Sequence, residues 1–153
     1  MIVRAELYMA FAKRFHAGKR IRPATAPHLA EAEEMLGVRW PESYRQFAMT
    51  CGAVYTPSLL ELVREHKTGY SDVQQFLTPK QSVTETRRWH LEPGGGCAAF
   101  ASDCSGSFFA FRDLSIAEPR ADDAAVWLFD HSAGEVFEQS KSFDEWIGRF
   151  MQL

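Results

Sequence analysis

Apolar residues recur along this chain with two different periods. Over residues 2–16, Val3, Leu7, Phe11 and Phe15 stand four apart, which puts them on one face of a helix. Gly18 is a natural stop, and Lys13 and Arg14 occupy the last turn, where cations suit the negative helix end. A second helix is expected over about 27–36, with Thr25 as N-cap, Pro27 in the first turn, Leu29, Ala32 and Leu36 sharing a face, and Gly37 as stop. A third, over about 41–50, opens at Pro41 and turns Tyr44, Phe47 and Ala48 inward. A short helix through Glu65 follows Thr56-Pro57, with a strand over 59–63 as the alternative for so brief a pattern. Residues 66–73 read as loop. Thr78-Pro79-Lys80-Gln81 is a capping box with proline at the first helical position, and its helix should reach about Trp89. Glu92-Pro93-Gly94-Gly95-Gly96 can only be loop, because glycine loses too much backbone freedom in a regular element.

After the glycines the pattern shortens. Strands are expected over about 97–101, 107–112, 125–130 and 135–139, with turns at 103–106 and 131–134 that suit hairpins. Trp127 and Phe129 alternate with Leu128 and Val126, so both faces of that strand are apolar and a helical layer should cover at least one of them. Ser142-Phe143-Asp144-Glu145 is a second capping box, opening a final helix. The elements add up to one α+β domain over residues 1–153, with residues 1–22 a basic amphipathic helix and loop that form part of it.

Charge refines this picture. The net charge is −3, but residues 1–22 carry Arg4, Lys13, Arg14, Lys19, Arg20 and Arg22 against Glu6 alone, a net of +5 that leaves −8 on the rest. An acidic body disfavours nucleic acid and favours basic partners. No apolar run approaches the roughly 20 residues that span a bilayer. Arg4 and Glu6 interrupt the first apolar residues, as no secretory signal would. Three cysteines, an odd number, fit reduced thiols, and the expected location is the cytoplasm.

Chemical motifs are sparse. Cys97 and Cys104 stand too far apart for a zinc pair, and Cys51, His90 and His131 do not complete one, so neither metal nor cofactor is expected. Cys104 or Ser105 with His131 and Asp130 could be brought together by adjacent hairpin turns, but Asp103-Cys104-Ser105-Gly106-Ser107 lacks a nucleophile elbow and is ordinary turn chemistry. Gly94-Gly95-Gly96 precedes a strand and no Gly-Lys-Ser/Thr follows it, so it is not a phosphate loop. What remains is surface. Glu61, Glu65, Asp103, Asp122, Asp123, Glu135 and Glu138 are candidates for an acidic face toward a basic protein, with Trp89 and Tyr55 as aromatic candidates for its centre.

Three stretches fall in a recognisable order: EAEEMLGVRWPESYRQFAMTCG at 31–52, FASDCSGSFFAF at 100–111, and VWLFDHSAGEVFEQSKSFDEWIGRF at 126–150. Together they resemble the SMI1/KNR4 family of the SUKH superfamily. Trp40 stands where that family usually has leucine, and Cys51 where it usually has asparagine. The resemblance implies an α+β fold, with a mostly antiparallel sheet of four to six strands and flanking helices. It also implies a non-enzymatic binding protein. Bacterial members are similar to immunity proteins that neutralise toxins, often nucleases; fungal members are regulatory interaction proteins. The expectation is a protein partner such as a basic toxin, with a regulatory or scaffold role as the alternative.

Overall fold

The computed structural model describes residues 3–91 and 95–153. Among them the elements run α1 (Arg4–Phe15), α2 (Ala26–Leu36), α3 (Glu42–Thr50), α4 (Leu59–Glu65), β1 (Gln75–Phe76), α5 (Pro79–Arg88), β2 (Ala98–Ser102), β3 (Phe108–Phe111), β4 (Val126–Asp130), β5 (Glu135–Ser140) and α6 (Phe143–Met151). The strands form one antiparallel sheet in the order β1-β2-β3-β4-β5. This is the expected α+β architecture. Of the expected glycine loop, Glu92, Pro93 and Gly94 lie outside the described residues, while Gly95 and Gly96 both take positive φ.

Caps set the helix starts. Thr25 Oγ1 accepts the amide of His28, and Thr78 and Gln81 make both bonds of their capping box. At α6 only the Ser142 half of the expected box forms, with Ser142 Oγ accepting from Glu145. The remaining first-turn amides, those of Phe143 and Asp144, donate to the carboxylate of Asp123 at 2.8 and 3.2 Å.

One layer of helices, α1, α3 and α6, covers the inner face of the sheet. Its core is aromatic: Phe11, Tyr44, Phe47, Phe76, Phe100, Phe111, Phe143 and Trp146 are all essentially inaccessible and meet mostly in edge-on or tilted pairs. Such pairs favour a defined geometry over a greasy average. The face of α1 is centred on Tyr8, Phe11, Ala12 and Phe15; Val3, expected to share it, is exposed. Trp40 is fully buried against Tyr44 and Phe111, and Cys51 is buried with its thiol toward the carbonyl of Tyr8. The two departures from the family pattern are therefore core residues.

Two ion-paired stitches hold distant segments. Arg4 binds Asp144 and Asp122, each at 2.8 Å, and Tyr8 donates to Asp144. Arg120, from the linker between β3 and β4, pairs with buried Glu33 of α2. α4 and β1 close one end, where Tyr55 bridges Gln75.

Candidate protein-binding surface

The outer face of the sheet is only partly roofed. α5 lies over β2, where Thr86 Oγ1 accepts the amide of Ala99, and Leu77, Cys97, Ala99 and Ala110 form a small second core beneath it. Small side chains at Ala99 and Ala110 let the helix come close. Past β3 the helical roof ends.

Strand register then decides what is exposed. Phe108 faces Phe129, and Phe129 faces Val136, so these three make one row across the open face. Ala110, Trp127 and Glu138 make the next row, and Arg112 lies over the Trp127 ring at 4.7 Å. Trp89, at the C-terminus of α5, overhangs Phe108 at 6.4 Å and is half-exposed; Glu85 accepts from its indole N–H at 2.8 Å. The result is a trough of about 470 Å³ bounded by Trp89, Phe108, Phe129, Val136 and the 131–134 turn. Asp130 and Glu135 line it, and Glu138 flanks it on β5. Every residue from Glu135 to Glu138 is exposed, because β5 is the last strand of the sheet. Its two glutamates discourage edge-to-edge pairing of like chains.

The acidic candidates do not form a single face. Trp89, Glu135 and Glu138 meet at the trough. Asp103 sits on the neighbouring hairpin, where its Oδ1 accepts from the Ser105 and Ser107 amides and the Ser105 hydroxyl. It lines a separate cleft with Leu60, Val63 and Arg64 of α4, and the exposed Glu61 and Glu65 belong to that helix. Asp122 is paired with Arg4, which holds its carboxyl below the usual range. Asp123, a candidate for the acidic face, is half-buried: besides the α6 amides it takes the hydroxyl of Ser43 at 2.8 Å. Tyr55 is exposed away from the trough, its amide bound by His16. The residues that sequence reasoning missed are Phe108, Trp127, Phe129 and Val136. Their signal was the apolar character of both faces of β4.

Of the residues at the hairpin turns, Ser105 Oγ donates to Asp103, and His131 meets Ser107. His131 directs Nδ1 at Ser107 Oγ, 3.0 Å away, and Ser107 is buried beneath the turns, so this pair ties two hairpins together. The Cys104 thiol is pushed up by local burial and by the carboxylates of Asp72 and Asp103, the opposite of an activated cysteine. Among the described residues no three His, Cys, Asp or Glu side chains gather where they could hold a metal ion. No described helix is long and apolar enough to cross a membrane.

The family model for SMI1/KNR4 (SUKH-1) matches residues 23–149. The chain belongs to the SMI1/KNR4 family. No curated protein matches it at a significant level. Family membership fits a non-enzymatic binding module of the immunity type. In this SMI1/KNR4 domain the matched span covers the whole sheet and α2 to α5, whereas α1 precedes it and still supplies Tyr8, Phe11 and Phe15 to the core.

Proposed function

We propose that this SMI1/KNR4 domain is a bacterial immunity protein that binds a basic toxin, such as a nuclease, in the cytoplasm and blocks it stoichiometrically. The observation that carries this reading is the unroofed sheet face, with Trp89, Phe108, Trp127, Phe129 and Val136 beside Asp130, Glu135 and Glu138. Aromatic side chains on a rigid sheet lose little entropy on docking and form the hot spots of protein interfaces. Carboxylates at the rim speed encounter with a cationic partner and reject anionic ones, nucleic acid included. A nuclease presents a basic substrate channel, so an acidic plug over that channel excludes its phosphate substrate without any chemistry.

The test is co-expression with any toxin domain found encoded beside this gene, followed by calorimetric titration of the purified pair. The expected result is rescue of growth and a one-to-one complex, with Trp127→Ala and Glu138→Lys each weakening binding. Truncating a central aromatic should cost about 2 kcal/mol of affinity. Absence of both binding and protection overturns the reading. A stable complex with a housekeeping protein in place of a toxin assigns the domain to regulation.

A further inference from the structure

A second groove, of opposite charge, lies between α2 and α5. Its volume is about 770 Å³. Along α2 it is lined by His28, Glu31, Ala32 and Met35, and along α5 by Lys80, Val83, Thr84, Arg87 and Arg88. Both sets step by three or four residues over two turns, so each helix offers one continuous stripe. The helices run in the same sense: the start of α5 lies beside His28, and Arg87 donates to the carbonyl of Met35 at 2.7 Å near the end of α2.

The floor is apolar and shallow. Ala32 and Val83 are buried in it, while Met35 stands half-exposed on the wall without a covering group. The rim carries Lys80, Arg87 and Arg88 against Glu31 alone. A smaller cavity shares His28 and Pro79 with this groove and adds Arg22. The basic character therefore continues into the exposed loop of Lys19, Arg20 and Arg22. Arg4 and Arg14 of the same basic end are spent on Asp144, Asp122 and the carbonyls of Met151 and Leu153, but these loop cations make no ion pair among the described residues.

We propose that the α2–α5 groove docks an acidic amphipathic helix of a protein partner. A trough between two packed helices accepts a third as a ridge, and two turns of groove, about 10 Å long, match two turns of ligand. Leucine-sized side chains at i, i+3, i+4 and i+7 would meet Ala32, Val83 and Met35, as in other helix-in-groove interfaces. Flanking carboxylates would face Lys80 and Arg88. Nucleic acid fits less well, since phosphate contacts need no apolar floor and Glu31 stands in the lining. The site is distinct from the open sheet face and selects the opposite charge, so it stands or falls independently of the toxin reading.

The experiment is fluorescence anisotropy on the full chain with a labelled peptide bearing leucine at i, i+3, i+4 and i+7 and glutamate elsewhere. Two controls are its lysine counterpart and a scrambled glutamate peptide with no apolar face. The acidic amphipathic peptide should bind best. Affinity should fall about tenfold or more in K80E/R88E, since reversed charges juxtapose like with like. It should also fall in K80E alone and in M35E, and be unchanged in E138K on the sheet face. Thermal melts confirm that each variant is folded. No binding at millimolar peptide, equal binding of either control, or undiminished binding to K80E/R88E overturns the proposal. So does displacement of the peptide by dodecanoate at lower concentration, which would make the groove a site for small anionic amphiphiles.

Discussion

Glu33 and Arg120, 87 residues apart, meet through both carboxylate oxygens: Glu33 Oε2 accepts from Arg120 at 2.6 Å and from the amide of Trp40 at 2.7 Å, and Oε1 accepts from Arg120 at 3.3 Å. Arg120 also reaches the carbonyl of Trp40, so the pair fixes the turn between α2 and α3 to the β3–β4 linker. Glu33 is nearly inaccessible, whereas about a quarter of the Arg120 side chain is exposed.

Removing one partner strands the other. Arg120→Met leaves Glu33 buried with only an amide donor and should cost about 3 kcal/mol of stability. Glu33→Ala should cost a similar amount, because the Trp40 amide loses its acceptor as well. In a denaturation double-mutant cycle the two losses should be strongly non-additive; simple additivity would show that the pair does not act as a unit.

Asp122 and Asp123 are neighbours with unequal tasks. Asp123→Ala removes the acceptor of two α6 amides, of the Ala124 amide and of the Ser43 hydroxyl, and should destabilise by about 2 kcal/mol. Asp122→Ala breaks only an exposed contact to Arg4 and should leave the urea midpoint almost unmoved.

Two glycines with positive φ separate strain from collision. A Cβ on Gly52 would lie 2.0 Å from the carbonyl oxygen of Arg22, whereas one on Gly134 would meet nothing within 4 Å. Gly134→Ala should cost about 1 kcal/mol, the price of a left-handed residue. Gly52→Ala should cost at least about 3 kcal/mol, through collision with backbone, and it should shift the amide resonances of the 19–24 loop.

The buried acids give the domain an alkaline limit. Burial pushes the Cys51 thiol up to about 12 and raises Tyr8 and Tyr44 in the same direction. A thiol of the unfolded chain ionises near pH ~8.5. Cys51 therefore stabilises the fold fully below that pH, and its contribution is lost as pH rises toward about 12. Urea midpoints should fall through this window and fall less in Cys51→Ala. In the native state an alkylating reagent should modify Cys104 alone, and more slowly at mildly alkaline pH than it modifies a free peptide cysteine.

Much of the fold could be read from local chemistry. The Thr25, Thr78 and Ser142 signals each start a helix where expected, and Gly106 and Gly134 close the expected hairpins. β1 could not be read, because two residues carry no period and Gln75 and Phe76 are strand only through pairing with Ser102 and Ala101. Tyr8 was missed on α1 because a strict four-residue step skips it, although its ring faces Phe47 and Phe143. The candidate surface was harder. Sequence shows where carboxylates are, not which of them the fold consumes, and adjacent Asp122 and Asp123 look alike until the amides of α6 are located. The open row of Phe108, Phe129 and Val136 depends on register and on where α5 ends, both tertiary facts.

The stitch between α1 and α6 has a consequence for synthesis. Phe11 meets Phe150, and Arg4 meets Asp144, across almost the whole length of the domain. On a ribosome, α1 can meet Phe47 of α3 early, but the part of its face that packs on α6 must wait until that helix has been made. Contacts this distant in sequence slow folding and lengthen the exposure of apolar surface. A circular permutant that joins α6 to α1 through a short linker would make the same contacts local, and should fold faster while keeping the same core.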